Sequence, residues 1–356
     1  MGARDAFVGL ALLAAAGAAP HAQSAPRNTT LTAVPGIKVG HYTLAERPTG
    51  CTVILAEAGV TAGVDVRGSA PATRETDLLN PVNLVQIAHA IVLSGGSAFG
   101  LDSASGVMRY LEERRIGFEF GLAHVPIVPA AAIFDLSVGD GRIRPGADCG
   151  YQAARAAAGG PVAEGSVGAG AGATVGKAAG MGRSMKGGVG SASLTLPNGL
   201  IVAALVVLNA AGDVIDPANG QVVAGVRSAD GKTLADARKL LRAGGAGVGN
   251  GAARQNTTLG VVATNARLTK TEATRVSQMA HDGFARALAP AHTPGDGDVI
   301  FTLATGGMAA TGATRSTTSE AGQVGALAAE VMADAIVRAA RQATSVPGIP
   351  AVRDLR

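Results

Sequence analysis

Several stretches of the chain are apolar at consecutive positions, without the alternation of polar and apolar residues that marks a half-exposed strand. Continuous apolar runs of this kind predict strands that are covered on both faces. Residues 50–68 are expected to form two such strands around a glycine turn. Further buried strands are expected at HAIVLSGG (89–96), IVAALVVLN (201–209), LGVVA (259–263) and DVIFTLATG (298–306).

Other stretches show helical periodicity, and they predict helices at 98–115, 150–157, 270–287 and 319–343. Thr269 and Glu272 form a capping signal in front of the third helix. Pro197-Asn198-Gly199 marks the turn of a hairpin. Because strands and helices are mixed without steady βαβ alternation, we expect an α/β (α+β) fold. Two stacked sheets with helices outside would give a four-layer αββα sandwich.

Composition changes this picture little. The chain has 356 residues, of which 47% are hydrophobic, so it can bury a large core as one large domain or as two. Glycine is abundant (51 residues) and aromatics are scarce (3%), which favours thin layers that approach closely. The net charge is +4, yet no Lys/Arg run is longer than 114–115. The absence of a basic patch interleaved with aromatics argues against nucleic-acid binding.

The N-terminus has the features of a signal peptide. Arg4 precedes an apolar run over 7–19, which is too short to span a bilayer. Ala22-Gln23-Ser24 fits the cleavage rule, so 1–24 would be removed and 25–356 would form the mature domain. The alternative is a disordered apolar tail. We expect a secreted or periplasmic protein with no membrane association after signal removal.

Export permits disulfides. The two cysteines, Cys51 and Cys149, could be bridged, or Cys51 could be a small buried hydrophobe in front of the run TVIL. Sequence spacing gives no distance between the two, so both alternatives stay open.

The glycine-rich segment 166–180 resembles a phosphate loop but does not match one. Ala171 stands where the first glycine of a P-loop is required, and Ala178 stands where Ser or Thr should follow the lysine. A loose dinucleotide fingerprint in the same segment has no strand in front of it. We therefore predict no cofactor. Lys177 either reaches into a site lined by this loop or is a solvated lysine on a surface loop.

Common hydrolase and metal-site signatures are absent from the sequence. No serine is the centre of G-x-S-x-G, no HExxH occurs, and the histidines lack metal-ligand spacing, so no metal is predicted. His281 is interpreted as a core or cap residue of its helix. Asp296 and Asp298 form either a solvated turn or a functional acidic pair. Asn209, at the end of a buried strand, is a turn former or an oxyanion donor.

The junction Asn256-Thr257-Thr258 joins a glycine-rich stretch to a buried strand that starts at Thr257 or just after it. It could be an ordinary loop-to-strand junction, or a cleavage site that frees Thr257 as a new N-terminus. The tetrapeptide NTTL also occurs at 28–31, and each copy is an N-x-Thr sequon. The tetrapeptide alone is therefore weak evidence, and its flanking segments carry the argument.

A set of segments resembles the DmpA-like family of L-aminopeptidase/D-esterases, β-peptidyl aminopeptidases and nylon-oligomer hydrolases. In chain order these segments are RPTGCTVIL, GVDVRGSAPATRETDLLNPVNLVQIAHAIVLSGGSAFGLD, GAGAGATVGKAAG, KGGVGSASL, NTTLGVVATNARLTK and HTPGDGDVIFTLATG. The resemblance covers nearly all of 28–343. It implies a four-layer αββα sandwich similar to the N-terminal nucleophile hydrolases.

The resemblance also implies an inactive precursor, a zymogen, that cuts itself between Asn256 and Thr257 into chains 25–256 and 257–356. The Asn-Thr junction resembles the nylon-oligomer hydrolase branch. The resemblance further suggests a homo-oligomer of processed pairs.

Matched residue by residue, the resemblance implies Thr257 as nucleophile, Asn209 as oxyanion amide and Asp296 with Asp298 as the acidic pair. Lys177 matches a site lysine. Phe134 stands where the family often has Tyr, so it is a candidate substrate contact without that hydroxyl.

An N-terminal threonine supplies its own base, because an α-amino group has a pKa of roughly 7.7–8.0. No histidine is then required. We expect an aminopeptidase acting on small peptides, peptide amides or esters. An endo-type amidase on ω-amino acid oligomers is the alternative within the enzyme class. A secreted, non-catalytic binding protein on the same scaffold is the alternative of another class.

Overall fold

The computed structural model describes Met1 and residues 28–244, 256–308 and 317–355. Residues 2–24 of the expected signal peptide and most of the glycine-rich stretch before Asn256 lie outside the described residues.

Within the described ranges, the strands are β1 (Lys38–Thr43), β2 (Gly50–Val66), β3 (Thr73–Arg74), β4 (Ile87–Ser94), β5 (Phe118–Phe120), β6 (Ala123–Val125), β7 (Ala130–Ala132), β8 (Thr174–Val175), β9 (Met185–Lys186), β10 (Gly188–Thr195), β11 (Ile201–Asn209), β12 (Asp213–Ile215), β13 (Val222–Ala224), β14 (Thr257–Thr264), β15 (Leu288–Ala289) and β16 (Val299–Ala304). The α-helices are α1 (Ser103–Glu112), α2 (Ala147–Arg155), α3 (Ala237–Arg242), α4 (Lys270–Ala287) and α5 (Thr317–Gln342).

Most of the elements expected from the sequence are present. The β10–β11 hairpin turns at Gly199, which has a φ of +84°. Helix α4 begins with the expected capping box, in which Thr269 and Glu272 exchange hydrogen bonds. Helix α1 is shorter than expected, because Ser97–Asp102 forms a 3₁₀ helix in front of it.

The main sheet has the strand order β10-β11-β14-β16-β2-β4-β7-β3, and β1 pairs with the first part of β2. The prediction of two strands over 50–68 was wrong, since β2 is one strand of 17 residues. Gly59, with a φ of +75°, lies where the register with β4 shifts between Leu55 and Val60. The left-handed glycine makes an irregularity within the strand where a turn was expected.

Strand β2 connects two layers of strands. Its first part pairs with β1 and β4, and its last part pairs with β16. One buried cluster combines side chains of β1, β2, β4 and β7 with side chains of β11, β14 and β16. The sheet therefore folds over this cluster, and its two parts face each other.

Helices cover the two outer faces. Along β11, Ala203, Leu205 and Val207 belong to the cluster between the layers, whereas Ala204 and Val206 pack with α4 and α5. On the other side, alternate residues of β2 and β4 pack with α1 and α2. Both faces of the central strands are buried, which explains their continuous apolar runs. The expected four-layer αββα arrangement is confirmed.

Cys51 of β2 and Cys149 of α2 form a disulfide, with their Cα atoms 6.0 Å apart. The bridge attaches α2 to the sheet and settles the alternative that spacing left open. Among the described residues, no helix has the length and hydrophobicity that crossing a bilayer requires.

The glycine content lets a strand and a helix touch backbone to backbone. A Cβ atom added at Gly190 of β10 would lie 2.1 Å from the carbonyl oxygen of Ala335 and 2.4 Å from the amide nitrogen of Ala339. Gly322, an exposed residue of the same helix α5, has no such neighbour within 4 Å. These two glycines form a matched pair.

We expect Gly190→Ala to lower the free energy of unfolding by about 1–3 kcal/mol or more, because the backbones would have to separate. Gly322→Ala should raise it by roughly 0.5–1 kcal/mol through helix propensity. Urea unfolding in a Thr257→Ala background, which removes the predicted self-cleavage, measures both. Equal effects of the two variants would contradict the close packing of β10 on α5.

Candidate active site

The ends of three neighbouring strands bring the candidate residues together. In the antiparallel pair β11–β14, Asn209 lies opposite Thr257. One residue earlier, Asn256 forms a parallel bridge with Asp296, just before β16. Asn209, Thr257 and Asp296 are all at most 3% exposed in the uncut chain. The strand that was expected to start at Thr257 does so.

The Asn256–Thr257 peptide lies at the centre of this arrangement. The hydroxyl of Thr257 donates a hydrogen bond to the carbonyl oxygen of Asn256 at 2.5 Å. The amide nitrogen of Gly297 donates to the same oxygen at 3.0 Å. A hydroxyl and a backbone donor therefore both reach the carbonyl group of the peptide bond that precedes Thr257.

Gly297 was not predicted as a site residue. A Cβ atom at this position would lie 2.8 Å from Oγ1 of Thr257 and 2.6 Å from the carbonyl oxygen of Ala70. Only glycine leaves room for the Thr257 hydroxyl here. The sequence carried a weak signal, a glycine between two acidic residues, but turns commonly contain Asp-Gly.

The two aspartates are buried, so the interpretation of a solvated turn was wrong. Oδ1 of Asp298 accepts a hydrogen bond from the amide nitrogen of Thr258 at 2.7 Å. Oδ2 of Asp296 accepts from the amide nitrogen of Thr293 at 2.6 Å. Its other oxygen, Oδ1, is buried and has no hydrogen-bond partner among the described residues. Burial raises the pKa of Asp296, and the charge of Asp298 raises it further.

Lys177 is 2% exposed, so the interpretation of a solvated lysine was also wrong. Its Nζ donates to the main-chain oxygen of Asn209 at 3.1 Å and to the side-chain Oδ1 at 3.0 Å. Burial lowers the pKa of Lys177 to about 7, against the opposing effect of the Asp296 charge. At neutral pH the amine of Lys177 is therefore near the midpoint of its titration between the charged and the neutral form.

The side chain of Asn209 is held from several directions. Its Oδ1 accepts from Lys177 and from the amide nitrogen of Thr174 at 3.0 Å, and its Nδ2 donates to the carbonyl oxygen of Phe134 at 3.1 Å. Asn209 is thus a fixed amide at a strand end and no turn former. Phe134 is half-buried beside it. Contact between the Phe134 ring and a substrate stays a prediction.

A buried ion pair fixes the residue after Phe134. Arg47 donates to Oδ1 of Asp135 at 2.8 Å, and both side chains are fully buried. The hydroxyl of Thr49 donates to Oδ2 at 2.6 Å, and the amide nitrogen of Gly96 donates to Oδ1 at 2.8 Å. With its carboxylate satisfied in this way, Asp135 anchors the backbone that accepts from Asn209.

Lys186, a second buried lysine, organises the glycine-rich loop. Its Nζ donates to the carbonyl oxygens of Ala171 and Ala173, each at 2.7 Å. Burial lowers the pKa of Lys186 to about 7. Neither Lys186 nor the Arg47–Asp135 pair was predicted. The available signal was that Lys186 directly precedes a second glycine pair, 187–188.

His281 is a core residue, as interpreted from the sequence. It is buried, its Nε2 lies 3.2 Å from the carbonyl oxygen of Asp65, and burial lowers its pKa to about 3. Within the described part of the chain, no group of three or more His, Cys, Asp or Glu side chains is placed to hold a metal ion. The residues that do converge offer a hydroxyl nucleophile, amide donors, two carboxylates and a lysine, a set suited to acyl transfer.

Comparison with known proteins gives these residues a family context. A family model described as Peptidase family S58 matches residues 29–352. An uncharacterized aminopeptidase of Mycobacterium tuberculosis is 44% identical over 347 residues, covering 92% of this chain and 97% of its own length. The 6-aminohexanoate-oligomer endohydrolase of Kocuria sp. (strain KY2) is 32% identical over 323 residues, covering 90% of this chain and 88% of its own length.

A solved structure gives the same result for the fold. The L-aminopeptidase D-Ala-esterase/amidase from Ochrobactrum anthropi, described as a new variant among the Ntn hydrolase fold, matches with a TM-score of 0.66 at 18% identity. The match covers 93% of this chain and 91% of that chain. The resemblance found in the sequence and the expected fold are therefore both confirmed.

Two of the buried lysines, Lys177 and Lys186, predict how stability depends on pH. In the folded chain the pKa of each is about 7, whereas an unfolded lysine has a pKa of about 10.4. Between these values the unfolded chain binds more protons, so the free energy of unfolding should rise with pH, by up to about 1.4 kcal/mol per pH unit for each lysine.

Urea unfolding between about pH 7 and about pH 9, in the Thr257→Ala background, measures this slope. We expect Lys186→Met to remove roughly half of the slope that Lys177 and Lys186 contribute together; Lys270, whose pKa burial also lowers, adds to the slope with and without the substitution. Lys232→Met, at a solvent-exposed lysine, should leave it unchanged. Identical slopes in the two variants would show that Lys186 does not change its proton affinity on folding.

Proposed function

This chain belongs to peptidase family S58, and on that basis we propose that it cuts its own Asn256–Thr257 bond and then uses Thr257 as an N-terminal nucleophile. The family and the relatives make it a peptidase or amidase. One observation carries the finer proposal: the Thr257 hydroxyl and the Gly297 amide both contact the carbonyl oxygen of Asn256.

Self-cleavage would proceed as an acyl shift followed by hydrolysis. Oγ1 of Thr257 attacks the carbonyl carbon of Asn256, and the developing oxyanion accepts from the amide of Gly297. The bond from that carbon to the Thr257 nitrogen then breaks, and the hydroxyl proton ends on the nitrogen. Water hydrolyses the resulting ester, which leaves a carboxylate on Asn256 and a free α-amine on Thr257.

The new amine completes the catalyst. In the precursor this nitrogen is an amide and cannot act as a base, whereas a free α-amine has a pKa of roughly 7.7–8.0. It can accept the proton of its own hydroxyl as Oγ1 attacks a substrate amide. Asp296 forms a bridge with Asn256, the residue before Thr257. Its Oδ1 is buried without a hydrogen-bond partner among the described residues and fits the role of acceptor for the new amine.

The same donors would serve substrate hydrolysis. A substrate carbonyl that occupies the place of the Asn256 carbonyl would meet the amide of Gly297, and Asn209 would supply the second donor. Loss of one such donor costs about 10²–10³ in rate. Lys177 keeps Asn209 oriented through its contacts with both oxygens of that residue.

Several buried groups together favour an enzyme over a non-catalytic binding protein. The candidate residues are all buried and lie close together: Thr257, Asn209, Lys177, Asp296 and Asp298. A scaffold used only for binding has no need to bury two carboxylates and a lysine beside a hydroxyl, because each buried charge is costly.

Among the possible substrates, we propose small peptides and peptide amides or esters cleaved at the N-terminus. The aminopeptidase relative, at 44% identity, supports this choice over the endohydrolase relative, at 32%. The endohydrolase relative and the Asn-Thr junction keep internal cleavage of ω-amino acid oligomers as the second candidate. The Cys51–Cys149 disulfide fits the expected secreted or periplasmic location. We retain a homo-oligomer of processed pairs as part of the proposal.

Intact mass spectrometry of the purified protein tests self-cleavage. The wild type should give two fragments, the smaller beginning at Thr257, whereas Thr257→Ala should give a single uncut chain. Thr257→Ser, which keeps a hydroxyl, should still be cut. Thr29→Ala, at the matching position of the other NTTL copy, should be cut like the wild type. A single chain in the wild type would refute the proposal.

Substrates with and without a free amino terminus distinguish the two candidate activities. We expect peptides and 6-aminohexanoate oligomers to be shortened only from a free N-terminus, so acetylation of that amine should abolish cleavage. Mass analysis of the products gives the result. Internal cleavage of the acetylated oligomers would favour the endo-type amidase instead.

A further inference from the structure

We propose that His292 is a positioning residue of this site, which holds the carboxylate of Asp298 through Nδ1. The inference rests on the proposed function, in which Asp298 lies behind the nucleophile. No role for His292 follows from the sequence, and the proposed mechanism does not use it.

Asp298 lies between His292 and β14, the strand that begins at Thr257. Its Oδ2 lies 2.8 Å from Nδ1 of His292 and accepts from the amide nitrogen of the same residue at 3.3 Å. Its Oδ1 accepts from the amide nitrogen of Thr258. Rotation of this carboxylate would therefore break contacts on both sides, one of them next to Thr257.

The geometry around the ring identifies its donor. Nε2 of His292 is buried and has no hydrogen-bond partner among the described residues. A proton on Nε2 would be a buried donor without an acceptor, which costs more than a bare lone pair. In the neutral ring the proton therefore lies on Nδ1, from which it is donated to the acceptor-only carboxylate.

The backbone and the neighbouring rings keep His292 in place. His292 has a φ of +55°, a left-handed conformation that is uncommon for residues other than glycine. Its ring stacks on Phe284 at 5.9 Å between centroids and meets the edge of His281 at 4.9 Å. Such backbone strain at a site persists only when surrounding contacts enforce it. Here the contact that this strained backbone maintains is the one between His292 and Asp298.

The next residue has a matching role toward the other aspartate. Thr293 donates its amide to Asp296, so two consecutive residues each hold one member of the acidic pair. Thr293 acts on Asp296 through its backbone amide as well as its side chain, so a side-chain variant would leave the backbone contact in place. His292 offers the side chain through which the arrangement can be tested.

Two variants that both tolerate a positive φ separate donor from packing. His292→Gly removes the ring and the donor, whereas His292→Asn retains an amide nitrogen close to the position of Nδ1, and Asn is enriched in this conformation. We expect His292→Gly to slow self-cleavage and to lower kcat by about 10- to 100-fold, the range for a hydrogen bond to a charged group. KM should change by less than about twofold, because substrate is not contacted.

Rescue decides whether the donor matters. His292→Asn should recover most of the lost rate, and imidazole added to His292→Gly should recover part of it. In an Asp298→Asn background, His292→Gly should cause little further loss, because both changes remove the same interaction. Thermal unfolding of each variant gives the folded fraction, to which the rates are normalised.

Three results would overturn the inference. These are wild-type rates in His292→Gly, equal losses in His292→Gly and His292→Asn, or a change confined to KM. Failure of the proposed function looks different, since the wild type itself would then be uncut or inactive. A wild type that is cut and active beside an unaffected His292→Gly refutes only the role of His292.

Discussion

The pairing register of β11, β14 and β16 is the constraint on which the rest of the site depends. It sets Asn209 opposite Thr257, and Asn256 beside Asp296. A shift of one residue would turn each of these side chains to the other face of the sheet. Each strand is covered on both faces, by the cluster between the layers and by the outer helices. The packing of the core thereby fixes the register, and the register determines which side chains meet in the site.

Buried charged side chains fix the conformation of loops that the strand pairing does not fix. The interior consists mostly of small residues, Ala, Val and Gly. Three sets of polar contacts are buried within it: Arg47 with Asp135, Lys186 with its carbonyl partners, and Lys177 with Asn209. Small side chains fill space but cannot orient a loop. Paired charges can, because leaving one of them unsatisfied is expensive. Here these charged side chains fix the geometry of the site. The two lysines also have pKa values that burial in the folded chain lowers.

The sequence predicted those features that are local. The hairpin at Gly199, the capping box at Thr269 and the start of β14 follow from short patterns and are confirmed. The break at Gly59 was misread because a left-handed glycine serves a bulge as well as a turn. The assignment of Thr257 and Asn209 came from resemblance to a family.

The remaining contacts could not be predicted, because they join residues far apart in the chain. Arg47 and Asp135, or Lys186 and the loop it binds, meet only after the layers have stacked. Gly297 and His292 lie close to the aspartates in sequence, but their roles depend on which atom faces Thr257. The order of residue types along a sequence does not show in which direction each of these groups points.

If the chain is cut as proposed, the disulfide has a consequence for how the two fragments hold together. Both cysteines lie within 25–256, so this bridge does not link the two fragments. The smaller fragment contributes β14 and β16, which lie between β11 and β2 of the larger one. Cleavage would thus turn a unimolecular folding reaction into a bimolecular one, whose stability depends on concentration. Once such fragments separated, nothing covalent would return them to each other, and the lifetime of the proposed mature enzyme would depend on its unfolding rate.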